Sequence, residues 1–202
     1  MKKILLVLAL LGIVIYFITE ATPSSEVYVG EIHKIRRAKN NSFRSSPNSP
    51  LPTAQRATFD SLAYYPVTVD FKVSASISRS ARPDTVLIQT SDDKTEKYLR
   101  WGLAKFELDK KPQELTLFLH TTGTDSTLFI PFTDLSNGQG SYGGGRYLDV
   151  PRPKADISEI ELDFNQAYNP YCAYNDEYSC PVPPAENRLQ VAIPAGEKSF
   201  HD

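Results

Sequence analysis

The residues of this chain whose types and spacing suit chemistry are two cysteines, an arginine after a run of glycines, and a scatter of carboxylates and amides. Cys172 and Cys180 are the only cysteines and stand nine residues apart, counted inclusively. In an oxidising compartment such a pair reads as a local disulfide, with buried thiols and a metal site as the alternatives. A bond closing so short a loop is worth roughly 2.5 kcal/mol on the chain-entropy estimate. Zinc would need two further ligands, and neither a CxxC pair nor a histidine pair supplies them, so no metal is expected. His33, His120 and His201 are scattered, and a nucleophilic thiolate would lack a base close in sequence.

Residues 137–147 read NGQGSYGGGRY and hold five of the ten glycines. Turns of this kind let backbone N–H groups converge on an anion. The Lys-Ser/Thr pair of a nucleotide-binding loop is missing, and the run leads into a strand-like segment, so no nucleotide or other cofactor is expected. Arg146 could hold a carboxylate or phosphate through two parallel hydrogen bonds. The bland alternative is a bulged turn that packs Tyr142 and Tyr147 and leaves Arg146 paired to a nearby acid. Carboxylates and amides are dense further on: Asp149, Asp163, Asn165, Asn169, Asp176, Glu177, Glu186, Asn187 and Glu197. Two of them with separated pKa values could run acid–base chemistry. The same residue types also lock irregular loops by bonding to backbone. No GxSxG elbow is present.

Much of this set sits in one segment. Residues 163–188 hold both cysteines, four tyrosines, four prolines and four asparagines in 26 residues. The prolines remove donors and fix φ, which rules out a regular helix or central strand. The aromatic content is too high for a disordered linker. A long ordered loop, folded back over a sheet as a cap or site wall, is the expectation.

The elements that must carry this loop are mostly strands. Val67, Val69, Phe71, Val73, Ala75 and Ile77 alternate with polar residues, the period of a half-buried strand. Shorter runs follow at 85–90, 97–108, 114–120, 127–132, 146–150, 159–164 and 188–193, several separated by turn clusters. Gly102 inside one run marks a bulge or bend. Short connections imply an antiparallel meander, closing into a barrel or a sandwich. Upstream, Val29, Ile32 and Ile35 recur at helical spacing, with His33, Lys34, Arg36, Arg37 and Lys39 on the other faces. One amphipathic helix of about 15 residues, ending near Asn40-Asn41, fits. Its basic cluster reads as a solvated face or as a contact for anionic headgroups.

Residues 1–20 read as a targeting element. Lys2 and Lys3 precede a charge-free run at 4–18 that spans about 22 Å as a helix, short against roughly 30 Å of hydrocarbon. A cleaved signal peptide and an inner-membrane anchor both fit, and both put the domain in the periplasm or cell envelope. Any membrane contact would then be made by this segment if it is retained. No cysteine follows the run, so a lipoprotein anchor is excluded. The division expected is 1–20 leader, 21–58 linker, helix and wrapping loop, and 59–202 β-rich domain. The formal net charge of −2 gives no nucleic-acid footprint.

Several blocks carry a resemblance: PFTDLSNG at 131–138, SYGGGRYLDV at 141–150, the whole of 163–189, AGE at 195–197, and more loosely FDSLAYYPV from Phe59. They resemble the family catalogued as domain of unknown function 1684. The resemblance implies a family-wide domain with the long loop as its most distinctive part, and supplies no substrate. It also implies members without an export leader, in which the two cysteines would be thiols or ligands.

From the residues together we expect a binding module for a small polar or anionic molecule in a pocket capped by the 163–188 loop. Its candidate residues are Arg146, Tyr147, Asp163, Asn165, Tyr168, Asn169, Tyr171, Glu186 and Asn187. The alternatives are a hydrolase or lyase in which Arg146 holds an anion and Asp163 or Glu186 acts as base, and an envelope interaction protein. The enzyme reading requires those groups to converge on one cleft.

Overall fold

The structure, a computed structural model, describes residues 25–121 and 126–201. The leader expected at 1–20 lies outside the described residues. Among those described, no helix is long and apolar enough to cross a membrane.

Seven strands form one antiparallel sheet curled into a nearly closed barrel. They are β1 (Lys72–Arg79), β2 (Thr85–Gln89), β3 (Thr95–Leu108), β4 (Lys111–His120), β5 (Thr127–Phe132), β6 (Arg146–Pro151) and β7 (Glu159–Asp163). Strands β2 to β6 pair with one another in chain order, through short connections except for the longer 133–145 segment between β5 and β6. The β3–β4 hairpin turns through Asp109 and Lys110, both at positive φ, as tight two-residue hairpin turns require. Strand β7 returns to pair with β1, which brings the two ends of the sheet toward each other. The gap between β7 and β6 is bridged just past β7, where the Tyr147 N–H donates to the Tyr168 carbonyl at 2.8 Å and the Tyr168 N–H donates back at 3.0 Å.

Gly102 is where the 14-residue β3 changes partners. Its first half pairs with β2 and its second half with β1, and the register against β4 slips between Arg100 and Gly102. A Cβ there would stand 2.6 Å from the Ser78 carbonyl oxygen, so only glycine permits this approach of β1. Gly102→Ala is expected to cost about 1–3 kcal/mol as an overpacking change, seen as a lower urea midpoint at unchanged slope.

The barrel interior is filled, not hollow. Trp101, Phe106, Leu115, Leu117, Ile130, Leu148 and Leu162 point into it, joined by Leu189, Val191 and Ile193 from the C-terminal segment. That segment has the alternation expected of a strand at 188–193, but it forms no strand. It lies along residues 133–136, with the Leu189 N–H on the Thr133 carbonyl (2.8 Å) and the Leu135 N–H on the Val191 carbonyl (3.0 Å). Strand β1 likewise starts later than its sequence pattern. Val69–Phe71 is a 3-10 turn because the Thr68 hydroxyl accepts from the Asp70 N–H and caps it.

The N-terminal helix, α1 (Ser25–Ser45), is 21 residues long, and a four-residue α2 (Thr53–Arg56) follows it. Its buried residues are Tyr28, Ile32, Arg36 and Phe43, so the docked face lies to one side of the expected Val29–Ile32–Ile35 stripe, and Ile35 is exposed. The reason is polar. The Tyr28 hydroxyl donates to Asp163 at 2.7 Å, and Arg36 donates to the carbonyls of Tyr65 (2.8 Å) and Asn165 (3.2 Å). The helix also runs past Asn40-Asn41, because Phe43 packs edge-on against Tyr174, with ring centroids 4.9 Å apart.

Candidate functional site

The middle strands are apolar on both faces, which means both faces are covered. Leu117, Leu128 and Leu148 point inward. Their neighbours of opposite parity, Phe118, Phe129 and Tyr147, point outward and line up with Tyr98 of β3 as an aromatic stripe across four strands. Tyr98 stacks on Phe129 (5.4 Å), Tyr147 meets Phe129 edge-on (4.8 Å), and Tyr168 meets Tyr147 edge-on (5.7 Å).

The 163–188 loop crosses this stripe and is fastened at both ends. At one end stands the Tyr147–Tyr168 backbone pair already described. At the other, the Ser91 N–H donates to the Cys180 carbonyl (2.9 Å), the Val182 N–H to the Gln89 carbonyl (2.7 Å), and the Ser179 hydroxyl to Asp92. The Tyr147 hydroxyl donates to the Pro181 carbonyl, a further tie of that end to the sheet. Between loop and stripe lies a cleft of about 300 Å³, walled mainly by Tyr98, Phe129, Tyr147, Tyr168, Tyr171 and Tyr178. Pro170, Ser179, Cys180, Pro181 and Glu96 complete it, and Glu96 is the one lining residue with a carboxylate; no Lys, Arg or His lines it. Glu96 accepts the Tyr98 hydroxyl at 2.9 Å. Desolvation raises the Tyr147 and Tyr168 hydroxyls well above the usual tyrosine value, so both stay neutral donors.

Of the residues expected at a site, Tyr147, Tyr168 and Tyr171 meet in this cleft. Asn165 and Tyr168 line a second cleft of about 250 Å³ beneath α1, where Lys39 and Glu197 form an ion pair at 2.6 Å. Asp163 and Asn165 are joinery. Asp163 accepts from Tyr28, from the Asn165 N–H and from the Gln166 side chain, and the Asn165 amide donates to the Thr68 carbonyl (2.8 Å). The Asn169 N–H donates to Glu197 at 2.9 Å and the Tyr174 hydroxyl donates to the same carboxylate, so with Lys39, Glu197 ties loop, tail and helix together.

Three expectations are corrected. Arg146 is not an anion clamp: it is fully buried, ion-paired to Asp134 at 2.7 Å, and donates to the carbonyls of Ile193, Ala195 and Glu197. Glu186 is exposed and pairs with Arg100 at 3.0 Å. Asn187 is fully buried between β4 and β5, bonded to Thr116 and Pro131 backbone. Arg146, Asp163 and Glu186 therefore do not share a cleft, and the acid–base arrangement built on them is not assembled. The residues that the sequence reading missed are Glu96, Tyr98, Phe129 and Tyr178. For Phe129 the apolar run LFIPF carries a signal, since both parities are apolar there, whereas nothing local marks Glu96, Tyr98 or Tyr178.

Both cysteines are free thiols, so the disulfide expectation is not supported. The Cys172 N–H donates to the Cys180 sulfur at 3.1 Å, so the sulfur of Cys180 faces its neighbour as a hydrogen-bond partner. The Cys180 thiol, with the Ser91 and Tyr142 hydroxyls, lowers Cys172 to about 7, while giving up its own proton is made harder by the same bond. Equal labelling of the denatured chain with and without reductant is expected. In the native protein, alkylation of the first thiol should reach half its maximal rate near pH 7. A midpoint close to the ordinary thiol value of about 8.5 would show that the hydrogen bonds do not reach the sulfur.

Among the described residues no group of three or more His, Cys, Asp or Glu could hold a metal. A barrel-shaped antiparallel sheet with a fastened aromatic lid on its outer face is the class that fold and cleft define. Residues 57–198 match the family described as "Protein of unknown function (DUF1684)", and the chain belongs to that family. The fold is also similar to the solution NMR structure of an uncharacterized protein of Haloarcula marismortui. The two are 38% identical, the match covers 88% of this chain and 97% of that one, and the TM-score is 0.70. No curated protein matches the chain.

Proposed function

We propose that this domain is a binding module for a small organic cation, an amine or quaternary ammonium, held in the cleft beneath the 163–188 loop. The observation that carries this reading is the lining: six aromatic rings and a single carboxylate, Glu96, with no cationic side chain. Ring faces attract a cation through their quadrupoles, by about 2 kcal/mol or more where water is excluded. A nearby carboxylate adds to that attraction and repels anions. The volume of about 300 Å³ is at the small end of ligand sites and matches a compact ligand. The sign is opposite to the anionic ligand expected from Arg146, because that guanidinium lies inside the protein.

The lysine pair and apolar run at 2–18 support placing the domain outside the cytoplasmic membrane, released or tethered. Protease digestion of the full chain in spheroplasts tests this, since a domain still protected once the outer membrane is opened would lie inside.

The ligand class is tested by calorimetric titration with choline and with its neutral carbon analogue, 3,3-dimethylbutan-1-ol. Choline should bind about ten-fold tighter or better, equivalent to about 1.4 kcal/mol. Glu96→Gln and Tyr178→Leu should each weaken it several-fold without lowering the melting temperature, because both side chains are at the cleft mouth. Equal binding of the two probes, or preference for acetate, would overturn the cation reading.

A further inference from the structure

A second groove, with a lining of opposite charge, lies along α1. Residues 63–65 pair with the C-terminal tail, the Tyr65 N–H donating to the Gly196 carbonyl (2.9 Å) and the Lys198 N–H to the Ala63 carbonyl (2.9 Å). Between this ribbon and the helix runs a groove of about 500 Å³ lined by His33, Arg36, Arg37 and Lys198, and no carboxylate lines it. None of these four is ion-paired to a carboxylate among the described residues.

Arg36 is the built part of the groove. It is only 8% exposed, its two terminal nitrogens donate to neutral carbonyls, and its guanidinium sits 4.5 Å from the Tyr64 ring centroid. Its Nε has no partner, and neither does the Tyr64 hydroxyl on the same wall. The acids that feel Arg36 at longer range, Glu197 and Asp163, are already engaged by Lys39 and by Tyr28. A buried charge bonded only to neutral groups is costly unless a counter-charge arrives.

We propose that this groove binds a phosphoryl group, with Arg36 as the fixed floor and Arg37, Lys198 and His33 closing on the outer oxygens. Three permanent cations and a histidine suit a doubly charged oxyanion better than a single carboxylate. The phosphoryl group can come from a free phosphomonoester or from a lipid headgroup, and the experiment separates the two.

Full-length wild type and an Arg37→Gln/Lys198→Gln variant are titrated with phenyl phosphate by phosphorus NMR. Both are also floated with phosphatidylcholine vesicles, with and without 30% phosphatidylglycerol. The two changed side chains lie at the helix and tail surface, so the variant should fold, which its melting temperature checks. The result expected for a free ester is phenyl phosphate binding that falls ten-fold or more in the variant, with equal flotation of both proteins. The result expected for a headgroup is a gain in flotation on anionic vesicles that the variant loses. Flotation on zwitterionic vesicles registers the apolar leader together with any hold of the aromatic cleft on the choline headgroups, and since neither is changed in the variant it is the same for both proteins. No phosphate binding and no charge-dependent flotation, or equal responses from wild type and variant, would overturn the proposal. Neither outcome touches choline binding at the aromatic cleft, so the two sites are judged separately.

Discussion

Replacing Arg146 by methionine should destabilise the domain by about 3–5 kcal/mol, the usual consequence of removing one partner from a buried ion pair. For a domain of this size that is a fall in melting temperature of about 10 °C or more. Asp134 explains the magnitude. Its second carboxylate oxygen accepts the Ser136 N–H (2.8 Å) and the Ile193 N–H (3.0 Å), so the group is locked in place and cannot turn to solvent. Without Arg146 the charge stays buried, and the carbonyls of Ala195 and Glu197 lose their donor as well, while that of Ile193 keeps the Ala195 N–H. Asp134→Asn/Arg146→Met should lose less than the two single changes summed, the sign of direct coupling. Trp101, the only tryptophan and part of the core, reports the unfolding by fluorescence. A variant that keeps its stability and loses a ligand instead would restore the anion-clamp reading.

Asn187→Ala should cost about 3 kcal/mol through a different mechanism. Strands β4 and β5 pair in register only at Phe118 and Phe129. Further along, the Asn187 side chain stands between them as a substitute peptide group. Its amide donates to the carbonyls of Thr116 (3.0 Å) and Pro131 (2.8 Å), and its oxygen accepts the Thr116 N–H (2.7 Å). Pro131 has no N–H to offer the neighbouring strand, so an ordinary ladder cannot continue there. Alanine leaves one donor and two acceptors buried without partners, each costing about 1–3 kcal/mol before relaxation. Asn187→Asp should be at least as damaging, because it sets a carboxylate against two carbonyls. Hydrogen exchange at the Thr116 amide should speed up in both variants. Unchanged protection there would show that the strands close without the asparagine.

What the sequence revealed and what it hid divide along physical lines. Local periodicity carried the strands, and the bulge at Gly102 was legible because only glycine tolerates the approach of β1. The ordered loop was legible too, since so many prolines and tyrosines together exclude both helix and disorder. Charged residues misled. Arg36 and Arg146 belong to a type normally found at the surface, and nothing within a few residues of Arg146 announces that Ile193 and Ala195 will surround it. The helix face was misjudged for the same reason, because the docked stripe runs through Tyr28 and Arg36 and not through Ile35. The aromatic stripe was visible only in hindsight. Tyr98, Phe118, Phe129 and Tyr147 lie on four strands, and register alone brings them together. Only the 67–77 run has an alternation that separates a wet face from a dry one, and the later runs do not tell that these four are covered by the loop.

The lid and the stripe are proposed to form one site for a positively charged molecule. An NMR titration of the full chain with choline, followed on assigned tyrosine ring signals, tests this most directly. Shifts should be confined to Tyr98, Tyr147, Tyr168, Tyr171 and Tyr178, while Tyr28 and Tyr64 at the helix stay still. Saturating shifts at Tyr28 and Tyr64 with none in the cleft, or no shifts at all, would contradict it.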